Sequence, residues 1–568
     1  MKHIRSVVKK EGWLCAAYIA LGVLLSFLEV YWTKVTQLTL DDLSGGALSL
    51  GRIACFGGVL LLSYALGYLD ELPSSRLAQR LVLDFKLLAM EKLQTVEFGF
   101  YQSLGTGMLT QRVESGAQAG KAIAFDFWFE LFRSVLPSMV FSLCYIAAID
   151  PRVVTAIACG YGLVFLLSNL LLRRLYRIKE QVLDNEELFN RRLVRALMEL
   201  SCFRTSRLYP GQIVRARAEA REIERGKTRM RMVHEAFFAL FALLMGLVKI
   251  GIVVYAGVGG CLSVGEVVAL LALSDKAYVP VSIFNVLFVQ YKLDRSAFAR
   301  LAQLLDAPDE PGLLGGEALE KVRGELCLEN VCLAYGPLQA LRGVSLRLSP
   351  GQTIGFVGRS GSGKTTALRV AAGLQRPSGG SVRVDGRELY SLDLNSYFAC
   401  IAYASQEAPV FDGSLRENLC PDAGRPDAEL WQALEDCCLA ERVRALPQGL
   451  DAQVGEKGAL LSGGERQRLA LARVLLSDAK LVLLDEATSA LDNLTEERVM
   501  QRLLERLKGR TLLVVAHRLE RLAALETLAV FEDGRVVQRG AYAQLVAQDG
   551  PFRRLLQAYA GGEGEARP

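Results

Sequence analysis

A chain of 568 residues is too long for one hydrophobic core, so at least two domains are expected. With 51% hydrophobic residues and positive mean hydropathy it is too apolar for a wholly soluble enzyme, and a net charge of +5 is too modest for nucleic-acid binding to be its main task. The twelve cysteines are scattered without a C-x-x-C pair, and only three histidines are present, which argues against a metal cluster and for cysteines as small buried hydrophobes.

The apolar residues are concentrated in the first 290 positions. A short basic start (Lys2, Arg5, Lys9, Lys10) precedes the run from Trp13 to Trp32. That run has about the 20 residues a bilayer requires and is too long for the apolar core of a secretory signal. Further spans are expected at 51–69, 127–148, 153–172, 236–258 and 263–290, six in all, so both ends lie on one side. The connections at 34–50, 149–152 and 259–262 carry almost no basic residues. Those at 70–126 and 173–235 are long and rich in Arg and Lys, which places them and both termini in the cytoplasm. Helical periodicity in the long connections predicts that the spans continue below the membrane. Pro308, Pro311, Gly312, Gly315 and Gly316 then mark a linker. The expected boundaries are a transmembrane domain at 1–306, a linker at 307–323, a nucleotide domain at 324–562 and a disordered tail at 563–568.

Short strands follow the linker. Thr353 to Val357 is an apolar run with strand character that leads into Gly358-Arg359-Ser360-Gly361-Ser362-Gly363-Lys364-Thr365 and then, from Thr366, into a helix. This is the phosphate-loop pattern G-x-x-x-x-G-K-[ST] in its required strand–loop–helix setting. Glycines allow successive N–H groups to converge on one anion, and the helix start adds its positive dipole end. Lys364 is expected on the outer phosphates and the Thr365 hydroxyl on Mg²⁺. Gln406, after the run Cys400 to Ala404, could reach a metal or a water. Ser462, Gly463 and Gly464 open a helix and form a second anion site; a cap alone accounts for Ser462 but not for two glycines in a first turn. The buried run from Lys480 ends in Asp485, a candidate for the metal shell, and Glu486, a candidate general base. The run from Thr511 ends in His517, at a sheet edge where ligands bind.

Taken in order, these residues resemble the ATP-binding cassette family, and the whole chain resembles a half-transporter of the exporter type. The resemblance implies an α-helical six-span transmembrane domain followed by an α/β nucleotide-binding domain with an antiparallel subdomain. It makes Tyr335 the aromatic that stacks on adenine, Gly358–Thr365 the phosphate loop, with Thr366 also a nucleotide-binding residue, and Gln406 the Q-loop residue. It makes Leu461–Glu465 the signature, Ser489–Asp492 the D-loop and His517 the switch histidine. Leu104–Gly107 and Pro280 are also similar to that family. Two departures stand out. Glu465 occupies a place where the family most often has Gln, and Ser396–Ala399 lacks the usual arginine.

One chain has one phosphate loop and one signature, so the family resemblance implies two chains, alike or unlike, with ATP sandwiched between the loop of one and the signature of the other. Mg²⁺ bridges the phosphates, Glu486 aligns the water and His517 steadies the γ-phosphate. The stretches near 104–121 and 200–212 pass the movement to the spans. The expected setting is a bacterial cytoplasmic membrane, with the cassette in the cytoplasm and no nucleic-acid partner. No peptidase domain is expected before the first span, which disfavours peptide maturation, and no long external loop is expected to serve as a binding domain; a small molecule, drug, lipid or peptide remains the expected class of cargo. Import of metal–siderophore complexes, or a non-transporting role, are the other readings of the same fold. For the substrate there are charges at mid-membrane: Lys249 in the fifth span, Asp275 and Lys276 in the sixth. Each costs at least about 2.5 kcal/mol to insert, so each should pair or face the cavity. Two lysines against one aspartate leave a positive charge, which sets the expectation of an amphipathic substrate with an anionic or electronegative group.

Overall fold

The computed structural model describes the chain apart from residues 47–48, 260–261, 321, 423, 456–457, 517 and 563–568, with side chains also left undescribed at some helical positions, chiefly 165–174. The expected tail and His517 therefore lie outside the described residues. Two compact units result: Met1–Leu93 with Leu104–Asp306, and Gln94–Ser103 with Ala307–Pro568.

The first unit is helical. Among the described residues five helices are long and apolar enough to cross a membrane: Gly12–Ser44, Leu50–Thr95, Gly107–Ile149, Tyr209–Val258 and Val264–Leu305. At the expected fourth span lies the Pro151–Met198 helix, whose described apolar part, Pro151–Val164, is shorter. This is an integral membrane protein. The helices extend well beyond bilayer length, to 48 residues for Pro151–Met198 and 50 for Tyr209–Val258, because their polar continuations keep the same helical pattern. Their packing relies on small residues. Tyr278 is fully buried and donates its hydroxyl to the Ile157 carbonyl at 2.9 Å. It reaches that site because Gly160 has no side chain: a Cβ there would lie 1.9 Å from the Tyr278 oxygen. The third membrane helix contains two π-helical stretches, Ala122–Phe129 and Leu131–Val135.

The second unit holds two sheets. The strands are β1 (Leu326–Tyr335), β2 (Leu338–Leu348), β3 (Thr353–Gly358), β4 (Gly379–Val384), β5 (Arg387–Glu388), β6 (Ile401–Ala404), β7 (Leu481–Asp485), β8 (Thr511–Val515), β9 (Thr527–Glu532) and β10 (Arg535–Gly540). An antiparallel sheet runs β2-β1-β4-β5, and a six-stranded sheet runs β10-β9-β3-β8-β7-β6. In the latter only β10 is antiparallel. The side-chain period of two sorts β7 between two cores. Val482 and Leu484 join one, with apolar residues between Val410 and Val474; Leu481 and Leu483 join the other, with the Lys364–Ala371 helix and the antiparallel sheet. This double burial is why the strand reads as a continuous apolar run.

Residues 94–103 are part of this second unit, through backbone hydrogen bonds from Glu97 to the Pro308 carbonyl (3.1 Å) and from Glu310 to the Thr95 carbonyl (2.7 Å). The stretches 104–121 and 200–212 belong to the first.

The Gly160–Tyr278 contact carries a stability expectation. Gly160→Val should destabilise the membrane unit by about 1–3 kcal/mol through forced repacking. Gly162→Val should cost far less, since nothing lies within 4 Å of a Cβ at Gly162. Thermal midpoints of the full chain in detergent, read by retention of monodisperse protein, check this; equal midpoints for the two variants would contradict it.

Candidate functional site

The parallel strands end at one edge, and the edge carries the chemistry. After β3 the chain turns through Gly358, Gly361 and Gly363, all at positive φ. A Cβ on Gly358 would meet the Phe531 carbonyl oxygen at 2.3 Å, and one on Gly363 the Ala340 carbonyl oxygen at 2.8 Å, so the loop needs glycine for space as well as for conformation. Lys364 is buried and its Nζ donates to the carbonyls of Gly358 and Arg359, both at 2.9 Å. Burial holds its ammonium below the ordinary lysine range against the pull of Glu486 and Asp485. The Ser362 hydroxyl is buried without a hydrogen-bond partner among the described residues. An orphaned donor inside a loop of backbone N–H groups is what an anion ligand would satisfy.

The acids come from β7. Asp485 is almost wholly buried and accepts from Thr365 Oγ1 at 2.9 Å and from Tyr403 Oη at 3.4 Å. Burial raises its pKa, with Glu486 adding to the effect. Glu486 has φ +50°, a conformation unfavourable for a side-chain-bearing residue, and its Oε2 accepts from Gln406 Nε2 at 2.7 Å. Backbone strain of this kind concentrates at functional positions. Among the described residues no group of three His, Cys, Asp or Glu side chains is placed to hold a metal. Thr365 with Asp485 is instead a hard oxygen pair suited to a cation that is shared with phosphates.

A cavity of about 490 Å³ joins these groups. Tyr335, Ser360, Gly361, Lys364, Thr365, Thr366, Gln406 and Glu486 all line it. The phenol of Tyr335 is 40% exposed and bonds Gln375 at 2.6 Å. Arg342 and Asp533 also line the cavity, and no sequence motif pointed to them. Their strands, β2 and the β9–β10 turn, come close to the loop only in the fold, through the Arg342 N–H bond to the Gly534 carbonyl at 2.8 Å.

The signature residues do not line this cavity. Ser462 caps the Gly463–Leu476 helix: its Oγ accepts the Glu465 N–H at 3.2 Å, and Glu465 Oε2 accepts the Ser462 N–H at 2.7 Å. Glu465 also accepts from Arg442 Nε at 3.0 Å. Burial pushes this carboxyl up, but the Ser462 and Arg442 hydrogen bonds prevail and hold it below the ordinary range. Gly464 is tightly packed: a Cβ there would sit 3.1 Å from the Ala490 carbonyl oxygen, which would have to give by a few tenths of an ångström. Gly463 is not, since its nearest neighbour would be at 3.7 Å. Gln467, buried, ties the helix to the Ser489–Ala490 turn. Its Nε2 reaches Ser489 Oγ at 3.0 Å, and its Oε1 accepts the Ala490 N–H at 2.8 Å. Asp492 caps the next helix through the Thr495 N–H at 3.0 Å.

In the membrane unit Lys249 and Asp275 form an ion pair at 2.8 Å. Lys276 instead donates to the Glu29 carbonyl at 2.5 Å, with the Glu29 carboxylate also within electrostatic reach. The count of two lysines against one aspartate is thus corrected, because Glu29, on the first membrane helix, supplies a second negative charge. A further buried pair, Asp70 with Arg133, was hidden in the sequence. Asp70 reads as the start of a cytoplasmic connection, yet it lies inside one continuous helix. Arg133 Cζ stands 4.0 Å from the Tyr18 ring centroid and occupies the space left by Gly22.

These features define an ATP-binding cassette. Residues 341–489 match the ABC transporter family model, and a cassette of this family binds ATP. The whole chain has the fold of a solved structure entitled a bacterial Atm1-family ABC exporter with ATP bound. The likeness has a TM-score of 0.83 over 98% of this chain and 99% of that one, at 22% identity. In this fold a helical membrane unit and a nucleotide unit are fused in one chain. Among named relatives, the chain is 29% identical over 510 residues to the ATP-dependent lipid A-core flippase of Chromobacterium violaceum, covering 88% of this chain and 86% of that protein. It is 35% identical over 334 residues to the flippase of Neisseria meningitidis, covering 58% of this chain and 53% of that protein. It is 38% identical over 279 residues to the ABC-type transporter MDR1 of Aureobasidium melanogenum, covering 48% of this chain and 21% of that protein. The match thus spans about half the length of the Neisseria relative and about a fifth of the fungal one.

Gln467→Leu, similar in volume, would remove the hydrogen bonds that the buried Gln467 makes to Ser489 and Ala490, two residues exposed at the turn. It should lower stability by about 1–1.5 kcal/mol. Exposed Gln432→Leu should stay within about 0.5 kcal/mol. Chemical or thermal unfolding of the full chain, followed by tryptophan fluorescence, distinguishes them; a neutral Gln467→Leu would show that the tie carries no strain-bearing load.

Proposed function

We propose that this chain is an ATP-driven exporter of amphipathic, lipid-like or drug-like molecules, acting as a dimer in a bacterial cytoplasmic membrane with its cassette in the cytoplasm. The single observation that carries the ATP-driven part is the shared edge of β3, β6 and β7. It gathers a phosphate loop, a hard-oxygen pair and a strained acid around one cavity.

Each residue's task follows from its place. Gly358–Gly363 and Thr366 cradle the phosphates, with Arg359 at the loop surface and Lys364 on the outer phosphates. Tyr335 offers its ring to the adenine. Thr365, Asp485 and Gln406 would hold Mg²⁺, which when bound neutralises developing phosphate charge. Glu486 orients and deprotonates the attacking water, and Gln406 holds the Glu486 carboxylate in place. His517 is assigned the γ-phosphate on the resemblance alone. Ser462, Gly463 and Gly464 stand outside the cavity, and a Cβ on Gly463 would make only ordinary contact, 3.7 Å from Ala490 Cβ, so packing within its own chain does not require that glycine. A second cassette, from a like or an unlike chain, would therefore bring its own nucleotide to that turn.

Support for an amphipathic cargo comes from the flippase that aligns with most of the chain. Lys249, Asp275 and Lys276 are proposed to shape the membrane cavity as members of a charge-balanced set with Glu29, so the balance no longer favours an anionic cargo over a zwitterionic one.

Glu486→Gln should keep ATP binding and lower hydrolysis by about 10²–10⁴-fold, the worth of one general base. Phosphate release from the purified full chain measures it, and near-normal turnover would remove Glu486 from the role. Vesicles with outward-facing cassettes should accumulate a fluorescent phospholipid or lipid-like dye when given ATP; ATP hydrolysis without accumulation of any such probe would contradict the exporter reading.

A further inference from the structure

The signature turn carries a carboxylate where a phosphate is to dock. Glu465 is the third residue of the Gly463–Leu476 helix, and its carboxylate closes the cap on the Ser462 N–H. A negative charge there opposes the positive field of the helix end that would otherwise meet an incoming anion. Only 14% of the Glu465 side chain is exposed, so the charge is fixed in position. Arg442, from the neighbouring Ala440–Arg444 helix, meets it with Nε at 3.0 Å from Oε1. Half of the Arg442 side chain remains exposed at the same surface. With its arginine half exposed to solvent, the pair contributes only modestly to folding stability, so stability is a weak reason for its presence. Its effect on the local field is larger, because it cancels the one acid placed at the cap.

We propose that Arg442 is a positioning residue for the nucleotide held by a second cassette: by neutralising Glu465 it lets the Ser462–Gly464 turn present a net positive field to the γ-phosphate. This rests on the reading that ATP is sandwiched between two cassettes. The pair then does the work of an uncharged side chain at the third helical position, with the cap retained.

The test uses the full chain carrying Glu486→Gln and measures the ATP concentration that half-saturates nucleotide occlusion, meaning ATP retained through rapid desalting. Fluorescent ATP-analogue binding to the phosphate loop is measured in parallel. Arg442→Ala should raise the half-saturating concentration about tenfold, the order expected for one uncompensated charge near a triphosphate in a partly hydrated site. Adding Glu465→Gln to that variant should restore the original value. Arg442→Lys, which keeps the charge without the guanidinium geometry, should stay within about twofold of the parent, and high salt should shrink the Arg442→Ala defect. A structural role for Arg442 would not be rescued by Glu465→Gln. The proposal is overturned if Arg442→Ala occludes normally, if Glu465→Gln fails to rescue, or if Arg442→Lys behaves like Arg442→Ala. If the parent binds the analogue but never occludes ATP, the sandwich reading itself falls and the proposal with it.

Discussion

The parallel register of β3, β8, β7 and β6 is the constraint on which the site depends. It brings the ends of three strands far apart in sequence to one edge, so that Thr365, Gln406, Asp485 and Glu486 can touch one another. The hydrogen bond from Thr365 to Asp485 is its clearest product. It joins the first helical turn after the loop to the end of a strand 120 residues later. Both groups are held by buried backbone, so the pair is preorganised for a cation and does not have to be assembled by it. The strain at Glu486 is the counterpart: a residue at positive φ directly after a strand whose five members are all buried.

The signature lies outside this edge, and the connection to it runs through Gln467. That side chain links the signature helix to Ser489 and Ala490, just beyond Glu486. Movement of the signature against a second nucleotide would therefore be felt at the turn that follows the chain's own acid. Gly464 is pressed against the same turn. The phosphate loop's edge and the signature turn of one chain are thus mechanically joined, although on the proposed reading they would serve different nucleotides.

Much of this was legible in the sequence because the decisive elements are local. A phosphate loop is one turn between a strand and a helix, and double burial writes β3, β7 and β8 as apolar runs. Ser462 reads as a helix cap from its place before the Gly463–Leu476 helix. The signal failed where partners are brought together by the fold. Arg342 and Asp533 reach the cavity through strand pairing, and Arg442 meets Glu465 across 23 residues. In the membrane, Glu29 lay unremarked inside the first apolar run, which is why the charge count at Lys249, Asp275 and Lys276 came out unbalanced. Asp70 and Arg133 were hidden for a related reason. Hydropathy averages over a window, and a buried pair shared by two helices appears in neither window alone. Gly22 makes the point physically, since its worth is the room it gives Arg133.

The central claim is that a working nucleotide site needs the phosphate loop of one chain and the signature of another. Mixing two disabled chains tests it most directly. Lys364→Ala removes the phosphate contact, and Ser462→Arg blocks the signature turn; each variant alone should be inactive where the unaltered chain alone hydrolyses ATP. Co-assembled in equal amounts, half of the two-fold dimers should be mixed, each with one complete site, giving up to about a quarter of the unaltered activity. Recovery of ATPase on mixing is the expected result. Activity from Ser462→Arg alone, or none from the mixture, would contradict the account.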